Sequence, residues 1–337
     1  MRFGPLPLDE ALGTVLAHSQ PLPGGGRLRK GKRLEPADLD ALRAAGLTQV
    51  TVARLDPGDV DEDAAALALA RALVPDPAAA GLALQPVGTG RVNLLARGPG
   101  LAQVAAEQVH AVNTTDPAIT LATVPEWQRM EEGGMVATVK IIAYAVPGAA
   151  LQAACAAGQG ALALRAPALR GAALIETSVG GAAPGDKGWR VTAERLARLG
   201  VDLAPTIAVP HEEAALARAL SGAARQGGTG MILILTGSAT SDIDDVAPQA
   251  VRMAGGAVAH FGMPVDPGNL LFLGDLAGCP VVGLPGCARS PALNGADWVI
   301  ERLICGVPVD GAAIMGMGVG GLLKEIPQRP RPRRQKG

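Results

Sequence analysis

Residues 235–251, LTGSATSDIDDVAPQAV, hold the residue types best suited to chemistry. An aliphatic run from Met231 to Leu235 stops at Thr236, Gly237 and Ser238, and three aspartates follow closely, Asp242, Asp244 and Asp245. Small hydroxylated residues and glycine at a strand end let main-chain N–H groups approach an anion, and a following helix N-terminus adds positive potential. Carboxylates at the mouth of such a seat repel a phosphate unless a cation lies between. Mg2+ held by one or two carboxylates plus phosphate oxygens is the usual arrangement. The stretch therefore reads as a phosphate seat at Thr236, Gly237 and Ser238 joined to a metal clip at Asp244 and Asp245. The plainer reading is that Asp242 or Asp244 caps a helix beginning near Asp245.

Two further segments share this character. Thr177, Ser178, Val179, Gly180 and Gly181 end an apolar run and lead to PGDKG, which carries Asp186. Pro285, Gly286, Cys287, Ala288, Arg289 and Ser290 end another. Each loop alone is also ordinary turn chemistry. Ligands of open α/β sheets bind beyond the carboxyl ends of the strands, so three such loops on one sheet edge make a pocket lined for oxyanions. Weaker signals stand beside these. ETSVGG lacks the first glycine of a nucleophile elbow, and GMGVGG at 316–321 has no helix after it to complete a dinucleotide fingerprint. His211 opens a helix and His260 sits in a short apolar stretch; both read as structural or exposed. Cys287 reads as a small filler. A hydrolase built on Ser178 or Cys287 is the remaining, third class of function.

The elements that must position these loops follow from periodicity. From residue 172 near-continuous apolar runs alternate with helical patterns, as expected for a mostly parallel sheet covered on both faces. The runs lie in AALIETS, APTIAVP, GMILILTG and PVVGLPG, and the helices in GWRVTAERLARLG, HEEAALARALSGAARQG, DDVAPQAVRMAGG and ALNGADWVIERLICG. Residues 1–80 read as an α+β segment, with helices over EPADLDALRAAG and DVDEDAAALALARALV. Residues 81–170 read as a β-rich lobe containing a helix or two. Residues 171–310 form the α/β domain, 311–325 a glycine-rich return strand or loop, and 326–337 a disordered basic tail.

Bulk composition narrows the partners. The formal net charge is -1 and aromatics are 2%, so neither a steering field nor a stacking platform for nucleic acid is present. The four cysteines form no CxxC pair, which argues against structural zinc. The N-terminal MRFGPLPLDEALG lacks the pattern of a secretory signal and no apolar run is long enough for a membrane span, so the expected location is cytoplasmic, with no membrane partner.

The ordered loops ETSVGG, GDKGWRVTAERLARLG, ILTGSATSDIDDVAPQAV and NLLFLGDLAGCPVVGLPG resemble the molybdopterin-binding domain family of molybdenum cofactor biosynthesis. That family takes in the molybdenum insertases (MoeA-like) and the molybdopterin adenylyltransferases (MogA-like). TGSATSDIDDVAPQA is similar to the family's TGG loop and its Asp-Val-x-Pro-x-Ala helix start, matched by Asp245, Val246, Pro248 and Ala250. PVVGLPG with Ser290 resembles the insertase LPGNPxS loop, and GTVLAHS with GKRLEPADLDALRAAGLTQVTVARL resembles its N-terminal segment. The resemblance is thin over 81–165.

It implies a three-layer αβα sandwich binding molybdopterin, free or adenylylated, with Mg2+ and with ATP or molybdate as second ligands. The ligand-binding residues would be Thr177, Ser178, Gly180, Thr236, Gly237, Ser238, Pro285, Gly286, Arg289 and Ser290. Asp186 and Asp245 would be catalytic, and Asp244 and Asp245 would hold the metal in phosphoryl or nucleotidyl chemistry, which rests mainly on positioning and charge neutralisation. The chain departs from the insertases where they carry K-P-G-K-P, because Asp266 and Asn269 replace both lysines. The second expectation is accordingly a non-catalytic carrier or scaffold, its tail tethering a nucleotidyltransferase or a molybdoenzyme maturation partner. The family tendency and the β-rich lobe suggest a homodimer.

Overall fold

The computed structural model describes residues 1–181 and 184–324. The tail expected at 326–337 lies outside the described residues. The chain divides into two compact units, 1–98 with 102–164, and 99–101 with 165–337.

In the first unit, strand Gln49–Arg54 pairs antiparallel with Arg2–Pro7 and Val15–Leu16. Leu8, Leu16, Leu34, Leu39, Leu42, Val50 and Val52 close a small core over helix Pro36–Ala44. Pro36 opens that helix, where its missing N–H costs nothing. A second core joins helix Glu62–Leu73 to the antiparallel strands Leu82–Gly88, Arg91–Ala96, Met135–Ile141 and Ile119–Thr123. Ala65, Leu69 and Leu73 of that helix share the core with Leu82, Val92 and Val139. The boundary expected at residue 80 therefore runs through a packed core, because the strands beyond it and Leu151 and Ala154 of helix Gly148–Ala157 share that core with the helix.

The second unit carries a seven-stranded sheet. Strand Gly171–Ser178 pairs in parallel with Asp202–Leu203, Ile207–Pro210 and Ile232–Leu235, and Ile232–Leu235 pairs in parallel with Cys279–Leu284. Strands Ala257–Phe261 and Phe272–Leu276 then add an antiparallel hairpin at one edge. Ala173, Ile175, Ile232 and Ile234 pack with Leu216 and Leu220 of helix Glu213–Arg225 and Ala250 and Val251 of helix Val246–Met253. The alternate residues Leu174, Leu233 and Val282 are fully buried as well, so these strands show no polar face and read as continuous apolar runs.

The glycine-rich segment is not a return strand. Gly311–Met315 is a helix followed by one 3-10 turn, and Asp310 caps it by accepting from the Ala313 N–H at 2.8 Å. The cap outweighs the glycines here. No helix among the described residues is long and apolar enough to cross a membrane.

Candidate functional site

The three loops meet at the carboxyl ends of the strands. Thr177, 2% exposed, lies at the centre of the first contact. Its hydroxyl oxygen accepts from the Gly237 main-chain N–H at 2.9 Å and lies 2.8 Å from Nδ1 of His211. The His211 N–H also donates to the Ser178 carbonyl at 2.9 Å. His211 is thus a joint between the first loop and the end of strand Ile207–Pro210, a role that its place at a helix start did not reveal.

Gly237 is fixed by sterics. A Cβ there would stand 2.8 Å from the Thr177 carbonyl oxygen and 3.1 Å from the Ser178 Cα, contacts with rigid backbone. The first loop turns away through Gly180 and Gly181, both at positive φ (72° and 77°), which a side chain would strain. Ser178, Val179, Gly180, Gly181 and Pro184 face residues 208–212 across a cavity of about 650 Å³, within the range of small-molecule sites.

Arg289 makes the second contact. It ends the 3-10 turn Gly286–Arg289, donates from Nη1 to the Thr236 carbonyl at 3.3 Å, and places Nη2 3.6 Å from Oε2 of Glu176. One side chain therefore links all three loops. Glu176 is 2% exposed on the sheet, and its Oε1 has no hydrogen-bond partner among the described residues. Burial pushes the Glu176 carboxyl above the usual carboxylate range, and Arg289 pulls it back. Both carboxylate oxygens lie 2.7 Å from where a Cβ on Gly188 would stand, so any side chain at that point of helix Lys187–Ala197 requires the buried carboxylate to move.

The third loop is held by a buried arginine. Arg195 donates to Asp297 Oδ1 at 2.6 Å, to the carbonyls of Ala288 and Ser290 at 2.6 Å each, and to Ala292 at 3.0 Å. Asp297 also accepts from the Asn294 N–H at 2.8 Å, which completes the capping box of helix Gly295–Ile304. Asn294 reaches back with Nδ2 to Cys287 Sγ at 3.1 Å. Glu176 and Arg195 were both missed in sequence. The available signals were an acid inside an apolar strand run and an arginine four residues from Val191 on the buried helix face.

The aspartates are largely occupied. Asp245 itself, not Asp242 or Asp244, is the N-cap of helix Val246–Met253. Its Oδ1 accepts from the Val246 N–H at 2.7 Å and its Oδ2 from Ser241 at 2.9 Å. Asp244 accepts from Gln249 at 3.2 Å and pairs with Arg252 at 3.3 Å, and Asp242 accepts from the Asp244 N–H at 2.9 Å. Among the described residues no three His, Cys, Asp or Glu side chains gather as a metal-holding group. Asp186 precedes helix Lys187–Ala197 without a side-chain capping bond and is exposed, 3.9 Å from Arg190. Ser238, Gly286 and Ser290 are exposed, and Thr236 and Pro285 are buried. Asp266 and Asn269 are exposed, and Asn269 donates to the Met263 carbonyl at 3.2 Å.

Known proteins give limited company to this arrangement. A family model described as Domain of unknown function (DUF8806) matches residues 5–54. No curated protein matches the chain at a significant level. Similar solved structures include a molybdopterin biosynthesis MoeA protein from Pyrococcus horikosii, at 13% identity and TM-score 0.32 over 91% of this chain and 76% of that one. They include molybdenum cofactor biosynthesis protein B, at 14% and 0.29 over 41% of this chain and 88% of that one. A molybdenum cofactor biosynthesis protein from Pyrococcus furiosus matches at 13% and 0.26 over 94% of this chain and 65% of that one. Similarity at this level transfers neither fold nor function to the chain.

Proposed function

We propose that this protein binds molybdopterin and serves molybdenum cofactor biosynthesis or maturation, on a three-layer αβα domain of the molybdopterin-binding type. The observation that carries the reading is the junction of the three loops at Thr177, Gly237 and Arg289. Those loops carry the sequence motifs that resemble the family. In this reading the terminal phosphate rests on Arg289 beside the loop of Thr236, Gly237 and Ser238, where the Gly237 N–H is already engaged by Thr177. The pterin occupies the cavity between Ser178 and Gly180 on one side and residues 208–212 on the other, and Pro285, Gly286 and Ser290 would contact the ligand outside that cavity.

Two forms of the reading differ in chemistry. In the catalytic form the protein is a transferase acting on the pterin phosphate, with Asp186 and Asp245 assisting and Mg2+ held at Asp244 and Asp245. Mg2+ would neutralise phosphate charge. Each Asp245 oxygen already accepts one main-chain hydrogen bond and Asp244 pairs with Arg252, so a metal there would compete with bonds already made. In the carrier form the protein holds molybdopterin for a partner enzyme. The exposed Asp266 and Asn269, where the insertases carry lysines, favour the carrier, because no cation stands there to neutralise an oxyanion.

The test is a titration of the purified chain with molybdopterin, followed by Mg-ATP and analysis for adenylylated pterin. Binding without turnover selects the carrier, binding with turnover selects the transferase, and no binding contradicts both.

A further inference from the structure

We propose that Glu176 and Arg289 form a proton-coupled anion site: a phosphate group seated on Arg289 beside the 236–238 loop draws the guanidinium from Glu176, and Glu176 takes up one proton from solvent. This deepens the phosphate seat of the proposed function and rests on it.

The geometry divides Arg289 between two duties. Its side chain is one-third exposed, so the guanidinium reaches both solvent and the buried acid. Its Nη1 is anchored to the Thr236 carbonyl at the edge of the seat, and its Nη2 is 3.6 Å from Glu176, longer than a hydrogen bond. Glu176 has little else to offset its burial. Alongside it in the sheet stand Ala208 and Leu235, neither charged. Helix Lys187–Ala197 presents Gly188 to it. On that turn Lys187 and Arg190 are exposed, and Arg190 faces Asp186. Arg195, further along, is committed to Asp297 and the carbonyls of the third loop. His211 is tied to the neighbouring Thr177, not to Glu176. Arg289 is thus the charged group that partly offsets the desolvation of the carboxylate.

A dianion arriving at Arg289 alters that balance in two ways. It shares the guanidinium charge, and it adds negative charge beside the acid. Both effects favour the neutral carboxyl. The proton comes from water or buffer, its oxygen is on Glu176, and no bond to the ligand forms or breaks. By linkage, a site that takes up a proton on binding holds its anion less tightly as pH rises.

The experiment uses the full chain with pyrophosphate as probe. Calorimetry in two buffers of different ionisation heat counts protons taken up on binding, for wild type and for Glu176→Gln, across neutral pH. The expected result is a larger uptake in wild type than in Glu176→Gln, the difference approaching one proton. Affinity relative to Glu176→Gln should fall by as much as about tenfold per pH unit where Glu176 titrates. Comparison with the variant cancels the ionisation of pyrophosphate itself. Arg289→Met should weaken pyrophosphate binding tenfold or more. Equal proton counts in wild type and Glu176→Gln, undiminished binding by Arg289→Met, or no binding of pyrophosphate to wild type would overturn the proposal. If Glu176→Gln fails to fold, wild type alone decides, since an uptake no greater than the ionisation of pyrophosphate requires also overturns it. Glu176-dependent uptake with pyrophosphate but no binding of molybdopterin upholds this site and sinks the proposed function. Molybdopterin binding without proton uptake does the reverse.

Discussion

The Gly237 main-chain N–H donates to the Thr177 hydroxyl at 2.9 Å, across 60 residues of sequence. This bond brings the end of one strand against the loop of the next, closer than any side chain at 237 would allow. The bond occupies the Gly237 N–H, so the closeness sets the shape of the 236–238 loop beside Arg289.

Gly237→Ala therefore tests the junction. The added methyl meets backbone on two sides, and we expect a loss of about 1–3 kcal/mol in stability from forced backbone shifts, with anion binding weakened tenfold or more. Gly227→Ala is the matched control, since a Cβ there meets nothing within 4 Å. Its urea midpoint should stay near that of wild type.

Arg195 and Asp297 are 6% and 3% exposed at their side chains. Removing one partner leaves a buried charge uncompensated, so Arg195→Met should cost about 3–5 kcal/mol in urea unfolding. Asp297→Asn added to Arg195→Met should recover part of the loss, because the amide keeps the capping geometry without the charge.

Glu176 sets a pH dependence of stability. Its folded carboxyl titrates above the unfolded one, so the folded state binds the extra proton. Stability from this group is then complete below the ordinary glutamate range and falls as pH rises through the folded value. Glu176→Gln should remove that decline and unfold at higher urea than wild type at neutral pH. A parallel pH profile for the two proteins would contradict the assignment.

Gly188 and Glu176 should couple with a change of sign. In wild type, Gly188→Ala drives a methyl into the buried carboxylate and should destabilise. In a Glu176→Ala background the same change meets no carboxylate, and alanine's helix propensity should stabilise by up to about 1 kcal/mol. A double-mutant cycle on unfolding free energies reads the difference directly.

What the sequence revealed, and what it hid, follows from the range of the interactions. Ile232–Leu235 is legible because a strand buried on both faces must be apolar throughout. Thr236 and Gly237 are legible as a polar strand ending. Asp245 was placed at a helix start, yet only the backbone shows that it caps that helix with both oxygens engaged. Asp310 caps helix Gly311–Met315, where the glycine-rich composition of 311–321 suggests a return strand or loop. Arg195 resembles Arg190 and Arg198 in sequence, and only helical phase with Val191 separates the buried one from the exposed ones. Glu176 finds its partner Arg289 more than 100 residues away, and no local pattern encodes a pairing of that range.

The central claim is that the three-loop junction holds molybdopterin. Its most direct test is a fluorescence or calorimetric titration of wild type and Gly237→Ala with molybdopterin, with Gly227→Ala as control. The account predicts saturable binding to wild type at one site per chain, kept in Gly227→Ala and weakened at least tenfold in a folded Gly237→Ala. Absence of binding to wild type, or equal binding by wild type and Gly237→Ala, would contradict it.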